Sequence, residues 1–426
     1  MTKKMRWPVK WLMLFGLLLA AGHMKAASDW VVGESYYLYN TGIGQFIRGG
    51  NNYGTRASFG STGDMLTVNA VEGSDELYRL VWSRGNGLFI GATSEMWMDM
   101  GNQGHCSWQI QKGTGDTWRI SIEAADETYG EASKGKTYMG FCGDYSAPNS
   151  GSTPYVLPIL PDVLPYALGI DWIFMTKEEY DAVQQNVADA YEVRKALYKY
   201  VSAAKNIPSF SASELDIFSR PETTKAELEA LLETLPGKVL AYAKEHASKS
   251  NPIDVSFLIE GAGCGDAGYA GWTKTGDWGN NSTYFANGNS VLGGRFYERW
   301  KNNAGLDDGD IYQTVSGLFN GIYTLGADIN ATRQDHTDWE ITGVNLYAVG
   351  AEKQTVACPG SGNGVPDYYS VDFLVTNGTA RIGVECVSTN ANWLAMDNFR
   401  LYYKGIDLTA LRQSLDKLVE TARELT

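Results

Sequence analysis

The sequence predicts a multidomain, mainly β chain. Two patterns carry the prediction: a strand–turn–strand unit that recurs three times early in the chain, and a run of evenly spaced strand candidates in its second half. The recurring unit starts at Tyr37 (YLYNTGIGQFI), at Tyr78 (YRLVWSRGNGLFI) and at Trp118 (WRISIEA, resumed after a polar insertion at KTYMGF). The starts lie 41 and 40 residues apart. In each copy an alternating apolar strand meets a turn of Gly, Asn or Lys. A second short strand then carries an aromatic at Phe46, Phe89 or Tyr138. Such a unit cannot bury its apolar face alone and must close with its siblings. Three copies of this length predict a β-trefoil over residues 28–175, with closing strands at Leu66-Thr67-Val68, Trp108-Gln109-Ile110 and Trp172-Ile173-Phe174.

After Met175 the period changes from two to helical. Thr176 and Glu179 form a capping box, and Tyr180, Val183, Val187, Tyr191, Ala196 and Tyr200 follow on one face. Residues 201–221 read as a break. Thr223 or Thr224 then opens a second helix with Leu228, Leu231, Leu232, Leu235, Val239 and Tyr242, interrupted at Pro236-Gly237. Residues 176–250 are therefore predicted as a helical hairpin. From 251 to 405 the pattern is β: Val255–Ile259, Tyr297–Trp300, Ile311–Val315, Gly321–Asp328, Gly343–Val349, Tyr369–Val375, Thr379–Cys386 and Asn398–Lys404 are spaced as in a sandwich. Residues 406–426 carry Leu408, Leu411, Leu415, Leu418, Val419 and Leu425 at helical spacing. This C-terminal helix is expected to pack on the hairpin and complete a bundle.

The first residues predict export. Lys3, Lys4, Arg6 and Lys10 precede an apolar stretch, Trp11 to Ala21, too short to span a bilayer comfortably, and Ala26, Ala27 and Ser28 offer a cleavage zone. Residues 1–27 read as a signal peptide. The mature chain is expected to be secreted, periplasmic or at the cell surface. Losing the leader removes five cations and no acids, so the formal charge moves from −14 to −19. That balance argues against nucleic acid and anionic membrane as partners and suits a neutral ligand. Five Cys leave two readings open: Cys106–Cys142 and Cys358–Cys386 pairs with Cys264 left over, or free buried thiols.

The first domain resembles ricin-type and related trefoil lectin modules, in which a unit "Tyr-x-Leu/Ile … Gly-x-Phe/Tyr-Leu/Ile … Trp-x-Ile/Phe" recurs. In the last β domain, Tyr312-Gln313-Thr314, Gly317-Leu318, Gly321-x-Tyr323-Thr324-Leu325 and the closing Asp397-Asn398-Phe399-Arg400-Leu401 resemble the galactose-binding-like jelly-roll sandwiches of exported bacterial polysaccharide-processing proteins, a fold shared by many carbohydrate-binding modules. The resemblance implies a poly- or oligosaccharide partner. It also implies a structural Ca²⁺ held by an early Glu and a late carboxylate, for which Glu260 and Asp397 stand in place. The alternative has Asp397 capping a turn and Glu260 solvated.

Sugar recognition sets an aromatic ring against the apolar face of a pyranose, usually from a loop. Trp339 and Trp278 sit in polar, loop-like runs and are the platform candidates, followed by Trp393 and, in the first domain, Trp97. Trp272, Trp300, Trp82, Trp108 and Trp172 read as core. Gly263–Gly268 fits G-x-G-x-x-G, but no helix follows to receive a pyrophosphate. Asp307-Asp308-Gly309-Asp310 lacks EF-hand spacing. His105, His246 and His336 lie in separate segments, G-x-S-x-G is absent, and no stretch resembles a glycosidase domain. The expectation is an exported, non-catalytic glycan-binding protein. The alternatives are an adhesion or scaffold protein that binds proteins, and the accessory portion of a larger glycoside hydrolase.

Overall fold

Tyr36, Tyr78 and Trp118 occupy corresponding positions in three four-stranded units. In the computed structural model, residues 29–49, 56–83, 87–90, 96–99, 106–124, 135–141, 156–159, 169–205, 207, 210, 212–264, 269–281, 296–302, 304–334, 340–360, 366–406, 412, 415–416, 419 and 422–423 are described. The first unit holds β1 (Ser35–Asn40), β2 (Gln45–Gly49), β3 (Ala57–Gly60) and β4 (Met65–Ala70). The second holds β5 (Tyr78–Trp82), β6 (Gly87–Ile90), β7 (Met96–Asp99) and β8 (Gln109–Lys112). The third holds β9 (Trp118–Ala124), β10 (Gly135–Gly140), β11 (Leu157–Ile159) and β12 (Asp171–Met175).

Antiparallel pairing runs β1–β4, β4–β5, β5–β8 through the Tyr78–Trp108 bridge, β8–β9, β9–β12 and back to β1, a closed ring of six strands. The pairs β2–β3, β6–β7 and β10–β11 hang from it as hairpins. The register repeats as well. Tyr36 opposes Leu66, Tyr78 opposes Trp108 and Trp118 opposes Trp172. Leu38, Leu80 and Ile120 oppose Phe174, Val68 and Ile110, and all six are buried. The repeat thus begins at Tyr36, one residue before the predicted start. Because a strand alternates its faces, Tyr37 points the other way and stacks on Tyr180 at 3.7 Å between ring centroids.

Among the described residues four helices follow where two were expected: α1 (Lys177–Asp189), α2 (Tyr191–Ala204), α3 (Ala212–Ser219) and α4 (Lys225–His246). Capping boxes start α1 at Thr176–Glu179 and α4 at Thr224–Glu227. Pro236 does not interrupt α4. Leu228, Leu231, Leu235, Val239 and Ala243 keep one buried stripe across it, and that packing outweighs the hydrogen bond the proline forgoes. Val183 and Val187 of α1 pack on Tyr39, Phe46 and Met175 outside the strand ring.

The last part is a β-sandwich. One sheet orders β15 (Gly279–Asn281), β16 (Phe296–Trp300), β23 (Trp393–Tyr403), β18 (Gly321–Thr332) and β21 (Asp367–Val375), with β13 (Ile253–Asp254) also on β23. The other orders β14 (Thr273–Lys274), β17 (Gly309–Ser316), β22 (Thr379–Cys386), β19 (Val344–Val349) and β20 (Lys353–Ala357). Their inner faces meet through Tyr323, Leu325, Ile329, Met396 and Leu401 on one side and Ile311, Val315, Leu346, Ile382 and Val384 on the other. The expected strand Val255–Ile259 is instead a 3₁₀ turn at Ser256–Leu258, and β20 was not anticipated.

Cys358 and Cys386 are free and buried. Both flank Val344, which opposes Cys386 on one side and accepts the Cys358 N–H at 2.8 Å on the other. Two strand spacings, roughly 9–10 Å, exceed the ~7 Å limit for a disulfide, so that pairing is corrected. In the C-terminal helix the described apolar residues Leu415 and Val419 are exposed, and the expected docking of this helix on the hairpin is not seen at either. Residues 1–27 and Cys142 lie outside the described residues.

Candidate functional site

Alternation divides the six-stranded sheet into two faces. Tyr297, Leu394 and Met396 turn into the core. Their alternates form an outer face whose register sets side chains in rows. Trp300, Trp393 and Thr332 make one row; Glu298, Ala395 and Asn330 the next; Asp397, Asp328 and Tyr368 a third.

Two aromatic residues stand into solvent from this face: Trp300 is 57% exposed and Tyr368 50%. The Trp300 indole donates to Gln334 Oε1 at 2.6 Å, and the Gln334 backbone N–H donates to Asn392 Oδ1 at 2.8 Å, which fixes the edge of the ring. Tyr368 lies down over Gly326, where any Cβ would overlap the phenol. The two residues are three strands apart across the sheet and four residues apart along it, so roughly 20 Å separates their Cα atoms.

Between them the face is covered: Phe296, Trp393, Ala395, Asn330, Asp328 and Asp397 are all buried. Trp393 packs edge-on against Phe296 at 6.4 Å and donates its indole N–H to Glu298 Oε2 at 3.0 Å. Asp328, Asn330 and Asp397 are buried. A β-bulge sits beside them: Gly326 opposes Arg400 and Asp328 opposes Asp397, so Asn398 and Phe399 face the single residue Ala327. Asn398 takes φ +52°, which asparagine tolerates better than most residues. From there its side chain donates to Asp328 Oδ2 at 2.9 Å and its backbone N–H to Asp397 Oδ1 at 2.6 Å. Burial pushes the Asp328 carboxyl above its usual value, against the pull of the Asn398 bond and the Arg400 charge.

The predicted site residues fare differently. Trp339 lies outside the described residues, and so does the Trp97 side chain, whose backbone in β7 opposes Phe89. Trp278 is only 6% exposed. Its indole donates to Thr275 O at 3.0 Å and the Arg299 guanidinium lies 5.3 Å from its ring centroid, so it is a packed residue and not an open platform. Trp393 is on the outer face but 8% exposed, beside the more open Trp300. Trp300, assigned to the core from its strand position, is the corrected case. Strand alternation was the available signal, since Tyr297 pointing inward turns Glu298 and Trp300 outward. Trp272 is buried and donates to Glu260 O at 2.9 Å.

Asp397 lies in the middle of β23, and the segment after Glu260 meets that strand where Phe399 N–H donates to Ala262 O at 2.8 Å. Asp397 is buried and Glu260 exposed. The Glu260 carbonyl already accepts from Trp272 and, at 2.9 Å, from Gln313 Nε2. Among the described residues no three His, Cys, Asp or Glu side chains gather as a metal site.

Among the described residues, cavities also lie elsewhere. One of about 730 Å³ separates the strand ring from α3 and is lined by Thr41, Thr117, Asp171, Lys205, Phe218 and Arg220 among others. One of about 200 Å³ lies between α2 and the sandwich, at Lys199, Ser256, Glu260 and Arg400.

No protein-family model matches the chain, and no curated protein matches its sequence. Among solved structures it is similar to TmCBM61 in complex with β-1,4-galactotriose, at 17% identity over 32% of this chain and 90% of that one, with a TM-score of 0.26. It is similar to a Stig cyclase from Fischerella sp. TAU at 14% identity over 37% and 100%, TM-score 0.30. A third likeness is to the CBM22-1–GH10 modules of a Clostridium thermocellum endo-1,4-β-D-xylanase complexed with xylohexaose, at 13% identity over 36% and 28%, TM-score 0.24. At TM-scores of 0.30 or lower these likenesses bear no functional weight.

Proposed function

We propose that the chain is an exported, non-catalytic glycan-binding protein whose sandwich, read as a jelly roll, holds an oligo- or polysaccharide on the outer face of its six-stranded sheet. The observation that carries the reading is the pair Trp300 and Tyr368, two half-exposed aromatic residues on one face of the sheet. Rings supply stacking surfaces for pyranose faces, while Glu298, Thr332 and Gln334 supply partners for hydroxyls. The first domain is read as a β-trefoil, supported by the closed six-strand ring, the three hairpins and the repeated register. A structural Ca²⁺ on Glu260 and Asp397 belongs to the same reading. Both are hard oxygen donors, and a buried carboxylate such as Asp397 suits a cation partner.

A glycan array with Trp300→Ala and Tyr368→Ala tests the proposal, run with and without chelator. Each substitution should weaken binding about tenfold while leaving the melting temperature in place, since a stacked ring contributes ~1 kcal/mol or more. Retention of wild-type affinity in both variants overturns it. Exposed Leu415 and Val419 favour a second reading, an adhesion or scaffold role through protein contacts, which takes precedence if no glycan is bound.

A further inference from the structure

We infer that the strand ring, the helices and the sandwich form one rigid body that unfolds as a unit, with α2 as the wall shared by both β parts. Tyr198 and Tyr200 lie two residues apart on α2, roughly 200° around its axis, so they leave it on opposite sides. Tyr198 is buried against Phe141, just after β10, at 5.6 Å between ring centroids. The aromatic contact continues inward from Phe141 to Phe59 at 5.9 Å, and from Phe59 to Trp172 at 5.7 Å. On the other side Tyr200 meets Phe257 at 5.1 Å, and the intervening Lys199 donates to the Phe257 carbonyl at 3.1 Å. Phe257 sits in the 3₁₀ turn Ser256–Leu258, which is tied to β23. There Leu401 N–H donates to Ser256 Oγ at 2.9 Å and Val255 N–H to Leu401 O at 2.8 Å. The buried apolar cluster is accordingly continuous, from Trp172 through Leu197 and Val201 to Phe257 and Leu401.

The junctions leave little slack. Only Thr176, the cap of α1, separates β12 from that helix. Between α4 and β13, residues 247–252 are closed by the Ser248–Asn251 bridge. Gly405, at φ +80°, lets the end of β23 approach Ala247 so closely that a Cβ would lie 2.5 Å from the Ala247 carbonyl oxygen. Domains that move independently are joined by exposed, flexible linkers and meet through small polar interfaces, whereas these junctions are short and the seams on α2 are aromatic. A partner touching both β parts therefore meets them at one fixed spacing, with no linker to adapt it.

Hydrogen exchange of the full chain tests it, read by mass spectrometry under conditions where exchange follows the opening equilibrium. The slowest amides of β1 and β12, of α2 and α4, and of β18 and β23 should share one opening free energy and lose protection at the same urea concentration. Tyr200→Ala removes a contact on the sandwich side. It should nevertheless speed the slowest amides of β1 and β12 as much as those of β18 and β23, ~tenfold or more. Tyr198→Ala, on the ring side, should act on all three parts alike. Acceleration confined to one β part, or two separate urea transitions in the unsubstituted chain, overturns the inference.

Discussion

Trp108 and Trp172 make the same bond in successive repeats. Each indole donates to a carbonyl on the second strand of its own unit, Trp108 to Leu88 at 3.0 Å and Trp172 to Met139 at 2.9 Å. The first unit has Leu66 at this position, and the corresponding Ile47 carbonyl accepts from the Asp64 backbone N–H at 3.0 Å instead. The chain solves one buried hydrogen-bonding problem three times, twice with a side chain and once with backbone.

Equivalent bonds should have equivalent worth. Both indoles are buried, so Trp108→Phe and Trp172→Phe each remove a donor from a carbonyl while keeping a ring. Each is expected to cost ~1–3 kcal/mol for the lost bond, with a further contribution from lost volume. Urea denaturation of the two variants should give similar midpoints. A large drop in one and none in the other would contradict the equivalence.

Arg194 gives a second test at the seam between strand ring and helices. It is buried and donates to the carbonyls of Phe218, in the last turn of α3, and Arg220, just after it. It passes Gly44, whose φ of +71° already favours glycine and whose missing Cβ leaves room for the Arg194 stem 2.7 Å away. Nearby, burial pushes the Tyr39 hydroxyl up to about 12, so it stays protonated at neutral pH. Lysine keeps the charge but loses the fork that reaches two carbonyls. Arg194→Lys should cost ~1–3 kcal/mol, measured by chemical denaturation. A neutral effect would show that the two carbonyls find other donors.

The sequence made the three-fold pattern legible because each repeat buries the same alternation. Leu38, Leu80 and Ile120 follow their start residues at fixed offsets, and Trp108 and Trp172 mark the closing strands. The one-residue slip at Tyr37 arose because Tyr36 and Tyr37 are both aromatic and only pairing shows which faces the core. The same ambiguity hid the candidate site. FYERW places aromatics at both parities, so the exposure of Trp300 depends on Tyr297 pairing with Met396 on the inner face. Trp278 misled in the opposite sense. Its neighbours are polar, but its indole is consumed locally by Thr275 and its ring is covered by Arg299 of β16, a contact that sequence position does not show. Pro236 misled because propensity is local, whereas the stripe holding α4 together is tertiary.

Asp328 makes stability depend on pH. Its folded carboxyl lies above the unfolded value because burial penalises the anion. The native state therefore keeps this proton at pH values where the unfolded chain has lost it. The penalty applies in full above the folded pKa and is relieved as pH falls towards the unfolded value, below which this group adds nothing further. Asp328→Asn removes the charge and keeps an oxygen to accept from Asn398. The variant should be more stable than the parent at neutral pH, and the difference should shrink on mild acidification. Parallel urea titrations across that range measure it. A variant less stable than the parent at neutral pH would mean that the anion is held by a partner it needs.

Gly326 separates binding from folding more cleanly than any aromatic substitution. Its Cβ position is filled by the Tyr368 phenol, which lies across the strand and remains half-exposed. A methyl group there must displace that ring, and an exposed side chain can swing into solvent at little cost. Gly326 has no positive φ, so alanine adds no backbone strain. Gly326→Ala should therefore leave the melting temperature within a degree or two and weaken glycan binding about as much as Tyr368→Ala, roughly tenfold. The double variant should be no weaker than either single one, because both remove the same platform. Isothermal titration with a neutral oligosaccharide, paired with thermal melts, reads both quantities. Additive losses in the double variant would show that Gly326 acts on the ligand by another route, and unchanged affinity in Gly326→Ala would remove Tyr368 from the binding face.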